Sequence, residues 1–193
     1  MLICPDAFKH SLSAWEAGKN LASGLKQVVS EATVNILPLA DGGEGTVKAL
    51  VDATKGSLIQ TRVHDPLMRQ ITASFGILGD GHTAAIEMAA ASGIELLKPN
   101  ERDPLQTTSY GTGELIRAAL DHQCTRIILG IGGSATIDGG AGLLAGLGAT
   151  FLSDEQKVLT PSGGNLDRIR HINLDNLDAR LKKARIQIGT DVD

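Results

Sequence analysis

The segment RIILGIGGSATIDGG, residues 126–140, decides the fold class, because a short apolar run leads directly into a glycine-rich loop. A buried strand followed by glycines and a helix from about Ala141 presents backbone N–H groups and a positive helix dipole to an anion. Glycines let the backbone approach phosphate oxygens, and Ser134 and Thr136 add hydroxyl donors. Asp138 stands at the helix entrance, where a carboxylate can hold a metal ion or cap the helix. The segment predicts an anion site; a tight strand-to-helix turn is the simpler alternative.

Two other polar helix starts have a similar setting. Asp41-Gly42-Gly43-Glu44-Gly45 lies between a predicted strand at residues 34–39 and a predicted helix at residues 46–54. Two carboxylates three residues apart on a glycine turn suit magnesium or general-base work, although a solvated surface turn would look the same. Residues 107–113 begin a helix with several hydroxyl side chains, of which capping explains one and a ligand could explain the rest.

The rest of the chain predicts an α/β protein with a largely parallel, Rossmann- or flavodoxin-like sheet and a β-hairpin insertion. Ser13-Ala14-Trp15-Glu16 is a capping box at the start of a helix. Residues 71–77 alternate between apolar and polar, Asp80-Gly81 is a hairpin turn signal, and residues 83–88 supply the return strand. A subdivision into residues 1–60 and 61–193 would give two α/β units.

Composition excludes several classes of protein. A net charge of −4 and 3% aromatic residues argue against a nucleic-acid binder. No apolar run is long enough for a membrane span, and the N-terminus lacks the pattern of a signal peptide, so we expect a cytoplasmic protein. Cys4 and Cys124 are expected to be buried free thiols. The chain has 23 glycines in 193 residues, which is more than the usual share of roughly 7%.

Two kinds of enzyme compete for the loop at residues 130–140. Phosphoryl transfer from ATP is one, although the chain lacks the P-loop motif and the protein-kinase motifs. An NAD-type dehydrogenase domain is the other, because Gly130-x-Gly132-x-x-Ala135 fits the dinucleotide fingerprint and Asp154 follows about 20 residues later. Against the second, the fingerprint's helix should continue from Ala135, whereas Gly139-Gly140 interrupts it.

Five ordered blocks of the chain resemble the type 1 glycerate kinase family. The resemblance begins with the Pro-Asp-x-Phe-Lys-x-Ser-Leu-Ser pattern and includes the three glycine- and hydroxyl-rich segments above; the blocks cover residues 5–14, 40–46, 86–93, 107–116 and 130–136. The resemblance implies ATP- and magnesium-dependent phosphorylation of glycerate, to the 2-phosphate rather than the 3-phosphate, by a two-domain α/β enzyme. Its partner would be a small molecule, with neither nucleic acid nor membrane involved, and a homodimer is left open.

The resemblance also suggests roles for individual residues. The catalytic residues would be Lys9, Asp41 and Asp191, and the magnesium ligands would be Asp138, Glu44 and Asp193; the ATP-binding residues would be Gly132, Gly133, Ser134, Ala135, Thr136 and Gly139. The chain departs from the family at Ala7, usually Ser, and at Ile137, usually Asn. Family members are about twice as long, so we expect the 193 residues to be the N-terminal part of a larger two-domain kinase and to be inactive alone.

Overall fold

The structure, a computed structural model, describes residues 1–6, 8, 11–39, 43 and 45–190. The helices are α1 (Ala14–Val28), α2 (Thr46–Thr54), α3 (Ala89–Ser92), α4 (Tyr110–Asp121) and α5 (Ala141–Gly146). The strands are β1 (Leu2–Ile3), β2 (Asn35–Ile36), β3 (Ser57–His64), β4 (Gln70–Ile77), β5 (Thr83–Glu87), β6 (Arg126–Gly130), β7 (Thr150–Leu152), β8 (Val158–Leu159), β9 (His171–Asn173) and β10 (Arg185–Gly189). No helix in this part of the chain is long and apolar enough to cross a membrane.

A five-stranded sheet in the order β10-β6-β5-β4-β3 forms the centre of the fold. Strands β10, β6 and β5 run parallel, while β4 and β3 continue the sheet in antiparallel pairs. The α/β class with a parallel centre is confirmed. The sheet is more mixed than expected, because β3, which the sequence analysis did not predict, pairs with β4 along its whole length.

Helices cover both faces of this sheet, as the alternation along β5 shows. Ala84 and Ile86 belong to the large core with Leu115 of α4, whereas Ala85 packs with Val51 of α2 on the opposite face. Successive strand residues point to opposite faces, so the layers are α2, sheet and α4. Outside this core, β1 and β2 form a two-stranded parallel sheet, and β7, β8 and β9 form a three-stranded antiparallel one.

Local signals placed several elements correctly. The capping box at Ser13 starts α1, with Glu16 bonding back to the cap. Helix α2 has the predicted bounds, and the turn at Gly81, with φ of 72°, joins β4 to β5. Cys124 is buried as expected, but the expectation for Cys4 is wrong, because its side chain is exposed.

The subdivision at residue 60 stays a prediction, although that position lies inside β3. Helix α2, assigned to the first unit, packs on β3, β4 and β5 of the large sheet. Helix α1 packs on β1 and β2 instead. Within the described ranges, helix α1 thus packs on the small sheet and helix α2 on the large one, so the change of sheet falls between these two helices rather than at residue 60.

Candidate functional site

The carboxyl ends of three parallel strands bring the candidate loops to one edge of the sheet. Glu87 of β5 and Gly189 of β10 are both in register with Gly130 of β6. The chain leaves this edge into α3, into the loop at residues 131–140, and towards Thr190. The start of α2 reaches the same edge, since the Val47 N–H donates to Glu87 Oε1 at 2.8 Å. Ligands of open α/β sheets bind at this kind of edge.

Backbone hydrogen bonds hold the first part of the 131–140 loop from both sides. The Ile131 N–H donates to Gly189 O at 3.2 Å, which ties the loop to β10. The Ile94 N–H donates to Gly133 O at 3.0 Å, and the Ala135 N–H donates to Ser92 O at 2.9 Å. The Thr107 hydroxyl adds a bond to Ala135 O at 2.7 Å. The loop is thus fixed by α3, β10 and the segment before α4.

Three successive N–H groups in this loop remain available to a ligand. Those of Gly132, Gly133 and Ser134 have no acceptor among the described residues. Gly133 and Ser134 are exposed, and the Ser134 and Thr136 hydroxyl oxygens lie 3.1 Å apart beside them. Gly133 has φ of 71°, a backbone conformation that residues other than glycine rarely adopt. This arrangement can accept an anion such as a phosphate group.

Asp138 is 2% exposed and takes its hydrogen bonds from inside the protein. Its Oδ2 accepts from the Ser109 N–H at 2.7 Å and the Gly142 N–H at 3.2 Å. Its Oδ1 accepts from the Gly140 N–H at 3.0 Å, and the Ser109 hydroxyl lies within 3.0 Å of both oxygens. The magnesium role of Asp138 stays a prediction. These contacts favour the alternative, in which the carboxylate caps α5 and fastens it to the start of α4.

The hydroxyl-rich segment before α4 is buried and satisfies its own polar groups. Thr107 bonds to the loop, Thr108 lies 3.4 Å from Asp138, and Ser109 also accepts the Leu143 N–H at 2.9 Å. Deeper in the helix, the Thr112 hydroxyl meets that of Ser92 at 2.7 Å. These hydroxyls hold the site together, so they do not support a direct ligand contact there.

Helices α4 and α5 approach closely because glycines face each other across the contact. A Cβ on Gly142 would lie 2.2 Å from the Thr108 hydroxyl oxygen and 2.4 Å from Asp138 Oδ2. A Cβ on Gly113 or Gly146 would clash with the backbone of the other helix at 2.2–2.3 Å. The glycines of α5 are therefore required by packing, a role that the sequence analysis did not consider.

The dinucleotide alternative does not fit this topology. The helix after β6 begins at Ala141, so the backbone at Ala135 is still loop. Asp154 follows β7, which pairs with β8 and β9 in a separate sheet rather than beside β6. The fingerprint requires its acidic residue at the end of a strand adjacent to the glycine loop. Asp154 is therefore not placed to bind a ribose in that manner.

Several predicted site residues lie outside the described residues, namely Lys9, Asp41, Glu44, Asp191 and Asp193. Their roles stay predictions. Gly45, next to the acidic loop, has φ of 93° and precedes α2 directly. Among the residues that the structure does describe, no three His, Cys, Asp or Glu side chains gather closely enough to hold a metal ion.

A groove next to the loop was not predicted from the sequence. Its volume is about 210 Å³, and its walls are formed by Ile94, Leu97, Arg102, Pro104, Ser134, Ala135, Thr136 and Ile137. Gly163 packs closely against two of these residues, because a Cβ there would lie 2.4 Å from Pro104 O and 2.7 Å from Ile137 Cγ1. The Ser-Gly-Gly sequence at residues 162–164 was the available signal for this contact.

The fold and this edge define an α/β protein with a glycine loop where its parallel strands end, and three successive N–H groups of that loop have no acceptor among the described residues. The glycerate kinase family profile matches residues 1–193, the whole chain, so the chain belongs to the glycerate kinase family.

Individual relatives agree with this assignment. Glycerate kinase of Bacillus subtilis is 50% identical over 193 residues, which is 100% of this chain and 50% of the relative. Glycerate 2-kinase of Escherichia coli K12 is 47% identical over 192 residues, again 100% of this chain and 50% of the relative. The crystal structure of a Salmonella typhimurium LT2 protein described as glycerate kinase 2 matches with a TM-score of 0.87 and 46% identity, covering 97% of this chain and 51% of that one. The chain spans about half the length of the curated relatives it matches.

Proposed function

We propose that this chain contributes the phosphate-binding half of an enzyme that transfers a phosphoryl group from ATP to glycerate, giving 2-phosphoglycerate. The observation that carries the proposal is the row of N–H groups at Gly132, Gly133 and Ser134, which lack acceptors in the described part of a chain whose whole length matches the glycerate kinase family. Oriented N–H groups at the end of a parallel strand suit phosphate oxygens. The E. coli relative, a glycerate 2-kinase, supports the 2-phosphate as product.

The roles follow from what phosphoryl transfer requires, which is positioning and neutralisation of charge. Residues Gly132, Gly133, Ser134 and Thr136 would hold phosphate oxygens, with Ala135 and Gly139 shaping the loop around them. Magnesium, when bound, would neutralise charge on the phosphates. Carboxylates are the ligands that magnesium prefers, so Glu44 and Asp193 suit that task.

The remaining roles concern the glycerate hydroxyl and the charged groups around it. Asp41 or Asp191 would accept the hydroxyl proton as a general base. Lys9 would neutralise a phosphate or the substrate carboxylate. Asp138, given its internal bonds, would act by holding the loop in place. A cytoplasmic location and a homodimer belong to the same proposal.

The test is a coupled assay of ADP release with D-glycerate, ATP and magnesium. It compares the 193-residue chain with an extended protein, in which residues 1–193 are continued by the second half of the Bacillus subtilis relative. We expect turnover of order 1–100 per second from the extended protein and negligible turnover from the 193 residues alone. No glycerate-dependent ADP release from a folded extended protein would contradict the proposal.

Calorimetry supplies a second measurement that separates nucleotide classes. The extended protein should bind magnesium-ADP and be indifferent to NADH, because Asp154 lies outside the sheet that carries the glycine loop. Tight NADH binding that Asp154→Ala abolishes would contradict this and support a dehydrogenase.

A further inference from the structure

Arg102 lines the groove beside the glycine loop without a carboxylate partner. Its Nε donates to Leu97 O at 3.4 Å, and within the described residues no carboxylate oxygen lies within 4.0 Å of its guanidinium. By contrast, Arg69 and Arg180 each contact two carboxylates. The Arg102 guanidinium thus brings an uncompensated positive charge to the wall of a groove.

The carboxylates nearest to Arg102 in sequence are occupied elsewhere. Glu101 accepts from Arg69 Nη1 at 2.9 Å and from the Lys98 N–H at 3.0 Å. Asp103 accepts from the Leu105 N–H at 3.0 Å, in a turn of its own. Neither side chain forms an ion pair with Arg102, so its guanidinium remains available to an anion that enters the groove.

The rest of the groove suits one small anionic group. Ser134 and Thr136 bring hydroxyls to the wall, while Ile94 and Leu97 supply apolar surface that lowers competition from water. Arginine's planar fork matches the two oxygens of a carboxylate or phosphate. The volume of about 210 Å³ is below the roughly 300–1,000 Å³ of pockets for drug-sized ligands, so the groove takes a three-carbon acid or one phosphate group rather than a whole nucleotide.

We propose that Arg102, with the Ser134 and Thr136 hydroxyls, forms a subsite for an anionic oxygen group of a substrate, either the carboxylate of glycerate or a phosphate of ATP. The inference deepens the proposed function and rests on it for the identity of the two ligands. Arg102 acts as a binding residue, since no proton leaves a guanidinium at physiological pH. The loop N–H groups and the guanidinium would then face ligand groups on the same edge of the sheet.

The kinetic test uses the extended protein with Arg102→Ala, Arg102→Lys and the control Arg62→Ala. Arg62, like Arg102, is exposed, but it lies on β3, the outermost strand on the side of the sheet away from β10. A carboxylate subsite predicts a KM for glycerate raised at least tenfold in Arg102→Ala, with the KM for ATP within twofold of wild type; a phosphate subsite predicts the reverse. Arg102→Lys should recover part of the loss, and Arg62→Ala should change neither constant by more than twofold. Both KM values within twofold of wild type in a folded Arg102→Ala protein would overturn the proposal.

Calorimetry on the extended protein tests the subsite by binding, independently of whether the protein phosphorylates glycerate. D-glycerate, magnesium-ADP and inorganic phosphate are titrated into wild type and Arg102→Ala. Absence of glycerate turnover in the wild type would reject the proposed function alone, because the affinities for the three probes still report on the groove. At least a tenfold loss of affinity for one probe in Arg102→Ala supports the subsite. Equal affinities in both proteins, or no binding of any probe to the wild type, reject it.

Discussion

Replacing Asp138 by asparagine tests whether this carboxylate holds metal or holds the protein together. The carboxylate is buried and accepts three backbone N–H groups, those of Ser109, Gly140 and Gly142, as well as the Ser109 hydroxyl. In one amide orientation the NH₂ group would face the Ser109 and Gly142 donors. In the other it would face the Gly140 donor. Every orientation therefore leaves at least one N–H group without an acceptor, either the two buried donors of Ser109 and Gly142 or the part-buried donor of Gly140.

The size of the effect follows from these contacts. A buried donor without an acceptor costs about 1–3 kcal/mol, and a hydrogen bond to a charged group contributes about 1.5–3 kcal/mol. We expect Asp138→Asn to lower the free energy of unfolding by roughly 2–4 kcal/mol. The extended protein has about 390 residues, since the 193 residues are 50% of the relative that continues them. At about 2.1 cal/mol/K of unfolding entropy per residue, this corresponds to a melting temperature lower by about 2–5 °C. An ordinary N-cap, which asparagine serves about as well as aspartate, would show little change.

The assay is thermal and urea unfolding of the extended protein, together with the magnesium dependence of turnover. Asp154→Asn is the matched control, because Asp154 is exposed and its substitution should change stability by less than about 0.5 kcal/mol. We expect Asp138→Asn to lose stability while the magnesium concentration for half-maximal rate stays within twofold. Unchanged stability with a magnesium requirement raised tenfold would refute the structural role and restore Asp138 as a metal ligand.

Gly142→Ala should destabilise the protein by about 1–3 kcal/mol in urea unfolding, since its Cβ would lie 2.2 Å from a hydroxyl oxygen; the control Gly24→Ala, with open space around it, should be neutral or stabilising. Gly133→Val should abolish turnover of the extended protein while circular dichroism stays native, because φ of 71° and a neighbouring methyl group at 3.3 Å leave no room for a branched side chain beside the ligand. The hydrogen bond from the Thr83 hydroxyl holds the pKa of Asp80 well below its usual range, and the backbone N–H groups of His82 and Thr83 lower that pKa further. Its contribution to stability is thus present above about pH 4 and is lost as the pH falls from there through the folded-state pKa, so the stability difference between wild type and Asp80→Asn should shrink in acid titrations below about pH 4.

Elements with local signals could be predicted from the sequence. Helix α1 begins at its capping box, and the Asp80-Gly81 turn sits between the alternating strand β4 and the return strand β5. Strand β3 escaped prediction because only its pairing with β4 and its inward face, ending at buried Val63, identify it as part of the sheet. A half-exposed strand at the edge of a sheet carries a weak pattern of its own.

The candidate site divides in the same way. The glycine loop could be recognised because glycines, hydroxyls and a preceding apolar strand are adjacent in the chain. The environment of Asp138 could not, since its partner Ser109 is 29 residues away and becomes its neighbour only when α4 and α5 pack together. Arg102 could not be predicted for a related reason, because the groove that it lines is formed with residues 134–137, which are distant in the sequence.

The two kinds of glycine in this region work together to make the loop ready for a ligand. Gly142 allows α5 to approach the start of α4, and that contact lets Asp138 fasten the end of the loop. At the beginning of the loop, bonds to Gly189 and from Ile94 fix the backbone on either side of Gly132. The N–H groups between these anchors are therefore oriented before any anion arrives, and binding needs little ordering of the chain. We therefore expect groups that do not touch the ligand, namely the Asp138 carboxylate, Gly142 and the backbone of Ile94 and Gly189, to influence its affinity, because they fix where those donors point.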